Sequence, residues 1–164
     1  MRAIAIGMLG LLLGSAPASA QTAAERDRIL RDFQQSVADY DARHHCLALF
    51  PEALNATTPT PRIFTPPVAT VFRQLIAAAI TSGDGAPAMR GVNTPRRHVG
   101  VLEPFPATAL NRFPPVLERA LPPLPAGLEY RLIDNDLVLR DAGADVIVAV
   151  LRDALGSTIT TPKD

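Results

Sequence analysis

The sequence predicts an α+β fold, with two amphipathic helices of the N-terminal half packed on a small three-stranded antiparallel meander of the C-terminal half. Apolar residues recur every three or four positions in two long stretches before residue 83, which is typical of helices. Three short apolar runs separated by turn residues follow after residue 128, which is typical of strands. The stretch between these halves is proline-rich but too apolar for a solvated linker, so we expect a connecting arm along the core.

The first helix is predicted over residues 22–49. Thr22 and Glu25 have the spacing of a capping box at its start, and Pro51 follows its end. Its apolar stripe consists of Ile29, Phe33, Val37, Tyr40, His44 and Leu47. This spacing predicts one buried face on an otherwise solvated helix.

The second helix is predicted to begin after Thr65 as its cap, with Pro66 in the first helical position and Gly83 just beyond the end. Its stripe consists of Val68, Val71, Phe72, Leu75, Ile76, Ala79 and Ile80. Such a wide apolar face requires a partner surface, and the first helix offers one.

The connecting arm contains prolines at positions 104, 106, 114, 115, 122, 123 and 125. Pro115 to Ala120 predicts a short helical turn, and the remainder is expected to be extended because a residue before proline avoids helical geometry. The arm residues expected to lie against the core are Phe105, Leu110, Phe113, Val116, Leu117 and Leu121.

The C-terminal meander is predicted from strands at residues 129–133, 136–140 and 145–150. Asp134 and Asn135 tolerate the positive φ of a tight hairpin turn. Residues 141–144, which include Gly143, predict the second turn. A final helical turn is expected over residues 151–155.

Residues 1–20 are expected to be a secretory signal peptide. Arg2 gives the positive start, residues 4–13 the apolar run, and Ala18 to Ala20 the small-residue cleavage site. Cleavage near Ala20 would leave 144 residues, enough for one domain at residues 21–156 with a flexible tail at 157–164. We therefore expect an exported protein of the periplasm or the extracellular space.

The charge balance limits the classes of partner. Loss of Arg2 would leave fifteen basic and sixteen acidic residues, and this near-neutral balance argues against nucleic acid or an anionic membrane surface as an obligate partner. No later apolar stretch reaches membrane-spanning length, so we do not expect an integral membrane protein. Cys46 is the only cysteine, so it is either a buried free thiol or a link between two chains.

Two stretches resemble a family of small, uncharacterised exported bacterial proteins: "IFTPPVATVFRQLI" and "RFPPVLERALPPLPAGLEYRLIDNDLVLRDAGADVIVAVL". The resemblance covers residues 25–155, and its most specific part is the arm followed by the hairpin. This chain departs from the family in the third strand, "AGADVIVAVL", where an Asn and an internal acid are more usual. The family has no assigned activity, so the resemblance implies export and architecture but no catalytic residue and no cofactor.

The one metal-like cluster is "DARHHC" at residues 41–46. On a helix Asp41 and His45 lie four residues apart on one side, and His98 would be a third ligand, which is the minimum for zinc. The neighbours His44 and Cys46 point elsewhere on a helix, so they cannot join the same ion. The alternative is that His45 and Asp41 form a surface contact and His44 belongs to the core.

Patterns for other chemistry are weak. Arg96 and Arg97 form the one concentrated basic patch, which is either an anion-binding site or a solvated loop. The chain has no Gly-x-Ser-x-Gly motif and no phosphate-binding glycine loop. We therefore assign no catalytic residue.

The leading hypothesis is a non-enzymatic interaction module that contacts another envelope component or associates with itself. The third strand is apolar on both faces, and its edge residues Val146, Val148 and Val150 are the candidate contacts. Burial of both faces within the fold is the alternative explanation of that strand. The second hypothesis is a small ligand- or metal-binding periplasmic protein that uses His45 and His98.

Overall fold

A computed structural model describes residues 18–49, 62–82, 98–107 and 113–156, with side chains at 22–44 in the first range. Its elements in chain order are α1 Ala18–Leu49, α2 Pro66–Thr81, α3 Pro115–Ala120, β1 Leu128–Ile133, β2 Asp136–Asp141 and β3 Val146–Leu151. Helices precede a three-stranded antiparallel sheet of order β1-β2-β3, so the predicted α+β fold is confirmed. Within these ranges, no helix has the length and apolar character to cross a membrane.

The helix α1 is longer than predicted at its start. It begins at Ala18, so Thr22 lies inside the helix and does not cap it. Side chains 22–28 are all exposed, and the buried stripe begins only further along the helix. Phe33, Val37 and Tyr40 are buried as predicted, whereas Leu47 lies outside the described side chains.

The helix α2 begins where the sequence predicts, but its start lacks the expected side-chain bond. Thr65 has the extended backbone of a cap residue, yet its hydroxyl makes no capping hydrogen bond. Pro66 and Pro67 have no N–H groups, so two of the donors that a cap normally satisfies are missing. The N–H of Ser82 bonds to Ala78 O at the other end, and Gly83 lies outside the described residues.

An aromatic cluster joins the two long helices to the sheet. The ring centroids of Phe33 in α1 and Phe72 in α2 lie 4.7 Å apart, and Phe64 meets Phe72 edge-on at 5.3 Å. Tyr130 of β1 lies 6.2 Å from Phe72. Aromatic pairs at such distances add to the stability given by burial alone. The predicted helical stripes are therefore packed on one face of the meander.

The sheet has the predicted turns and differs from the predicted bounds by at most one residue per strand end. Ile133 lies opposite Asp136 across the turn formed by Asp134 and Asn135, and Asp134 has a φ of 55°. In the second turn, Asp141 Oδ1 accepts hydrogen bonds from the N–H groups of Gly143 and Ala144, both at 2.9 Å. This side-chain bonding explains why an aspartate precedes the turn.

A β-bulge changes the faces of β3. Leu139 lies opposite Ala149, but Arg140 lies opposite Ile147, so Val148 is the extra residue. As a result Val148 and Ala149 both pack in the main core under the helices, while Ile147 and Val150 pack on the opposite face. Strict alternation of side chains is thus broken at this position.

The connecting arm lies against the core as predicted. The helix α3 has the predicted bounds, and Tyr130 donates its hydroxyl proton to Pro122 O over 3.0 Å. The buried residues of the arm are Phe105, Phe113, Val116, Leu117 and Leu121, while Leu110 is outside the described ranges.

Residues 152–155 form a turn rather than a helix because Asn135 O accepts the N–H of Ala154 at 2.7 Å. The tail 157–164 lies outside the described residues.

The segment 98–107 covers the face of the sheet that the helices leave open. Its Val99 and Phe105 pack with residues of all three strands in a second, smaller apolar cluster. The guanidinium of Arg152 also donates a hydrogen bond to Val99 O. Both faces of the meander are therefore buried, one under helices and one under this segment.

Candidate interaction surface

Two adjacent apolar residues project from the covering segment. Val101 is 38% exposed and Leu102 58% exposed, and within the described ranges these are the exposed large hydrophobic residues. Leu102 also has a φ of 66°, in the left-handed region. That conformation costs an L-residue with a bulky side chain about 1–2 kcal/mol. The fold therefore maintains an exposed leucine in an unfavourable conformation.

Hydrogen bonds to β3 hold this backbone in place. The N–H of Leu102 donates to Ile147 O at 2.7 Å, and Ile147 N–H donates to Glu103 O at 2.9 Å. Phe105 N–H donates to Asp145 O at 2.9 Å, and Pro104 pairs with Val146. The segment thus lies along the outer edge of β3, and these bonds compensate for the strain at Leu102.

An open cleft of about 410 Å³ adjoins the exposed pair. It is lined by Val101, by Ala149 and Val150 of β3, and by Ile63 and Phe64 before α2. Walls of this composition favour apolar side chains over charged ligands. We call Val101, Leu102 and this cleft the Val101/Leu102 surface.

The proposed contact residues of β3 are distributed over different environments. Val148 is buried in the main core, Val146 pairs with Pro104, and Val150 lines the cleft. Residues 102–105 already occupy the outer edge of β3 beside Ile147. Of the three valines, Val150 is therefore the one that adjoins an open surface.

A polar cluster forms where α1 meets the end of β2. The hydroxyl of Tyr40 donates to Asp141 Oδ2 at 3.1 Å and lies 3.3 Å from His44 Nδ1. The distance between His44 Nδ1 and Asp141 Oδ2 is 3.5 Å. Burial, then the charge of Asp141 and its hydrogen bond, raise the pKa of Tyr40 above its ordinary value. Tyr40 therefore stays a protonated donor over the physiological range.

His44 and Asp141 of this cluster line an open cleft of about 430 Å³ together with Asp41 and Gly127. Asp141 accepts hydrogen bonds through both of its oxygens, so it has a structural role in fixing the turn and docking α1. Within the described residues, neither Ser nor Cys joins this cleft as a nucleophile. The imidazole of His44 and the carboxylates of Asp41 and Asp141 can form hydrogen bonds to a polar group in this cleft.

A charge network lies on the other face of the sheet. Arg140 contacts Glu129 Oε1 and Asp145 Oδ1, both at 2.5 Å, and Arg131 contacts Glu129 Oε2 at 2.5 Å. The guanidinium of Arg140 also lies 4.7 Å from the ring centroid of Phe105. Burial lowers the pKa of Arg140, but the hydrogen bonds and charges of Asp145 and Glu129 outweigh it and raise the pKa. The network fastens the covering segment to the sheet.

Only some of the predicted metal and anion ligands lie within the described residues. His98 is exposed at the start of the covering segment, and Asp41 lines the polar cleft. The side chain of His45 and both Arg96 and Arg97 lie outside the described residues. Among the described side chains, no group of three His, Cys, Asp or Glu residues is arranged to hold a metal ion. The metal and anion hypotheses therefore stay predictions.

Neither the Val101/Leu102 surface nor the Tyr40–Asp141 contact is predictable from the sequence. Val101 and Leu102 follow a glycine in irregular sequence, where no period distinguishes an exposed apolar residue from a buried one. Tyr40 and Asp141 are 101 residues apart, and their pairing depends on how α1 crosses the sheet. It is the structure that marks Leu102 as unusual, through its φ in the left-handed region.

Comparison with known proteins gives no match: no family model, no curated protein and no solved structure is significantly similar to this chain.

Proposed function

We propose that this chain is an exported, non-enzymatic binding module of the bacterial cell envelope, which docks an apolar segment of another envelope protein on the Val101/Leu102 surface. Its first twenty residues serve as the export signal in this proposal, as the resemblance to small exported proteins implies. The observation that carries the proposal is Leu102, an exposed leucine in left-handed conformation.

Two unfavourable features coincide at Leu102. A leucine in this conformation is less stable than glycine or asparagine would be, because only those residues adopt it readily. Exposure of its side chain forgoes a burial term of about 25 cal/mol per Å² of apolar surface. A partner that covers Leu102 gains the free energy of burying its side chain. Because the backbone is already fixed, binding loses little conformational entropy at this position.

The chemistry of the surface defines the partner. The cleft beside Val101 has aliphatic and aromatic walls from Ile63 and Phe64, so an apolar side chain of the partner fits it. Arg62 at its rim provides one charge for orientation. The partner is therefore a protein segment with one or two large apolar anchors rather than a nucleic acid or a small ionic ligand.

The test is light-activated cross-linking in the exporting host. A photoreactive phenylalanine replaces Val101 in one variant and Gln74, an exposed residue of α2, in the matched control. We expect a discrete adduct in the envelope fraction from position 101 and none from position 74. Adding Leu102→Asn should abolish the adduct while leaving the fold intact, because asparagine tolerates a positive φ.

The same variant separates binding from stability. Leu102→Asn should raise the free energy of unfolding by about 1 kcal/mol, since it relieves the strained leucine. A loss of adduct together with a more stable fold can only come from the missing apolar contact. Adducts that form equally at both positions, or that persist in Leu102→Asn, would contradict the proposed function.

A further inference from the structure

The outer edge of β1 is the second open feature of the sheet. The edge of β3 is covered by residues 102–105, whereas β1 is the last strand on the other side among the described residues. An open cleft of about 400 Å³ is lined by Leu128–Arg131 of β1 and by residues of the proline arm. Among the described residues no strand pairs with this edge, and an unpaired edge pairs readily with another strand.

The hairpin fixes which main-chain groups point outward. In a two-residue hairpin, Ile133 and Asp136 exchange hydrogen bonds, and every second residue of β1 then bonds to β2. The N–H and C=O groups of Tyr130 and Leu132 consequently point away from the sheet. In agreement, Leu128 N–H donates outside the sheet, to Pro125 O at 3.2 Å. Within the described ranges no such bond involves the main chain of Tyr130 or Leu132.

The sequence of this edge is complementary to itself in the antiparallel direction. Around Tyr130 it reads Leu-Glu-Tyr-Arg-Leu, so a two-fold axis at Tyr130 places each Glu129 opposite Arg131 of a second copy. The two leucines, Leu128 and Leu132, then lie opposite each other. Opposite charges directly across two strands stabilise the pairing, and like charges destabilise it.

We infer that the edge of β1 pairs with the β1 edge of a second copy of this chain, about a two-fold axis at Tyr130, to form a continuous six-stranded sheet. Each copy contributes the N–H groups of Tyr130 and Leu132 and the C=O groups of Leu128 and Tyr130. The Leu128 N–H stays with Pro125 O. Glu129 and Arg131 already contact each other on the sheet face, and the pairing extends this network across the axis.

The expected assembly is weak. Edge pairing of one short strand buries less than the ~1,200 Å² of a stable interface, so association in the micromolar range or weaker is expected. The charge pairs lie near the surface, so added salt should weaken association. Sedimentation velocity over a concentration series up to ~500 μM should show a reversible monomer–dimer equilibrium.

Charge reversal provides the decisive test. Arg131→Glu places two carboxylates opposite each other across the axis, and Glu129→Arg places two guanidinium groups there. Each variant alone should dimerise about tenfold more weakly than the unmodified chain. An equimolar mixture should restore association, because every cross-axis contact is again between opposite charges. Pairing by any other surface would not be rescued by mixing.

A disulfide reporter covers the case in which a charge reversal disturbs folding. Residues 129 and 131 of opposite copies form a non-hydrogen-bonded pair, with a Cα separation of about 4.5 Å that suits a disulfide. In a Cys46→Ser background, Glu129→Cys mixed with Arg131→Cys should give a mixed cross-linked dimer, and neither variant alone should cross-link. A monomer at all concentrations, or failure of both mixing experiments, would overturn the inference.

Discussion

Tyr40 and Tyr130 are the only two phenols of the chain, and both are buried donors. Tyr40 donates to a carboxylate oxygen of Asp141, and Tyr130 donates to Pro122 O. Burial is the main cause that raises the pKa of each hydroxyl, and the charge of Asp141 adds to it for Tyr40. Each phenol must therefore remain protonated for the fold to keep its hydrogen bond.

These shifts predict how stability responds to alkaline pH. The unfolded phenols ionise near pH 10, whereas the folded ones hold their protons to higher pH. The two protonated hydroxyls therefore contribute fully to the free energy of unfolding below about pH 10. This contribution is lost as the pH rises through the pKa of each hydroxyl in the folded state. The double variant Tyr40→Phe/Tyr130→Phe should be less stable at pH 8 by about 2 kcal/mol but should lose much less stability between pH 10 and 11.5.

Urea unfolding at a series of pH values measures this difference, and each single variant should retain part of the alkaline slope. Equal slopes in the double variant and the unmodified chain would show that other groups control the loss.

At the scale of elements, Arg140 connects β2 to three neighbouring parts of the fold. It binds Glu129 of β1 and Asp145 of the second turn, and it lies over Phe105 of the covering segment. Its side chain is 13% exposed, so solvent screens these contacts less than those of an ordinary surface pair. The arginine is therefore a link between the sheet and the segment that carries Leu102.

Replacement of Arg140 by alanine should lower the free energy of unfolding by ~2 kcal/mol. It removes the ion pair with Asp145 and the contact with Phe105, and it leaves Glu129 with Arg131 as its remaining partner. It should also accelerate hydrogen exchange at Ile147, whose N–H bonds to Glu103 O in the covering segment. Thermal unfolding and exchange measured by NMR report the two effects.

The matched control is Arg28→Ala, which removes an ion pair with Glu25 on an exposed face of α1. Such a pair contributes at most a few tenths of a kcal/mol, so stability should hardly change. A similar loss in both variants would contradict a specific role of Arg140.

At the scale of the whole molecule, the proposed export makes a prediction about the N-terminus of the secreted protein. If residues 1–20 are a signal peptide, the protein recovered from the envelope or medium should begin at Gln21. Intact-mass spectrometry distinguishes this form from the full chain. Ala18→Arg/Ala20→Arg should block cleavage, because the processing site requires small residues. An intact Met1 terminus in the exported protein would refute the signal assignment.

The sequence allowed the type and order of the principal elements to be predicted, because each has a clear apolar period or a run of strand-forming residues. The sequence predicts a start of α1 four residues after the observed one at Ala18, because alanine-rich residues continue a helix without an apolar period. The bulge at Val148 was not predictable, since every residue of β3 is apolar and alternation carries no information there. The left-handed φ of Leu102 was also not predictable, because it depends on hydrogen bonds to Ile147 of β3, which lies 45 residues further along the chain.

The proline in the covering segment limits how far the sheet can grow. Leu102, Glu103 and Phe105 turn their main-chain groups toward β3, and Pro104 between them has no N–H to offer on the outside. A sheet that joins two copies through β1 therefore terminates at a proline on both sides. Such an assembly closes at two chains and gives no template for fibre growth.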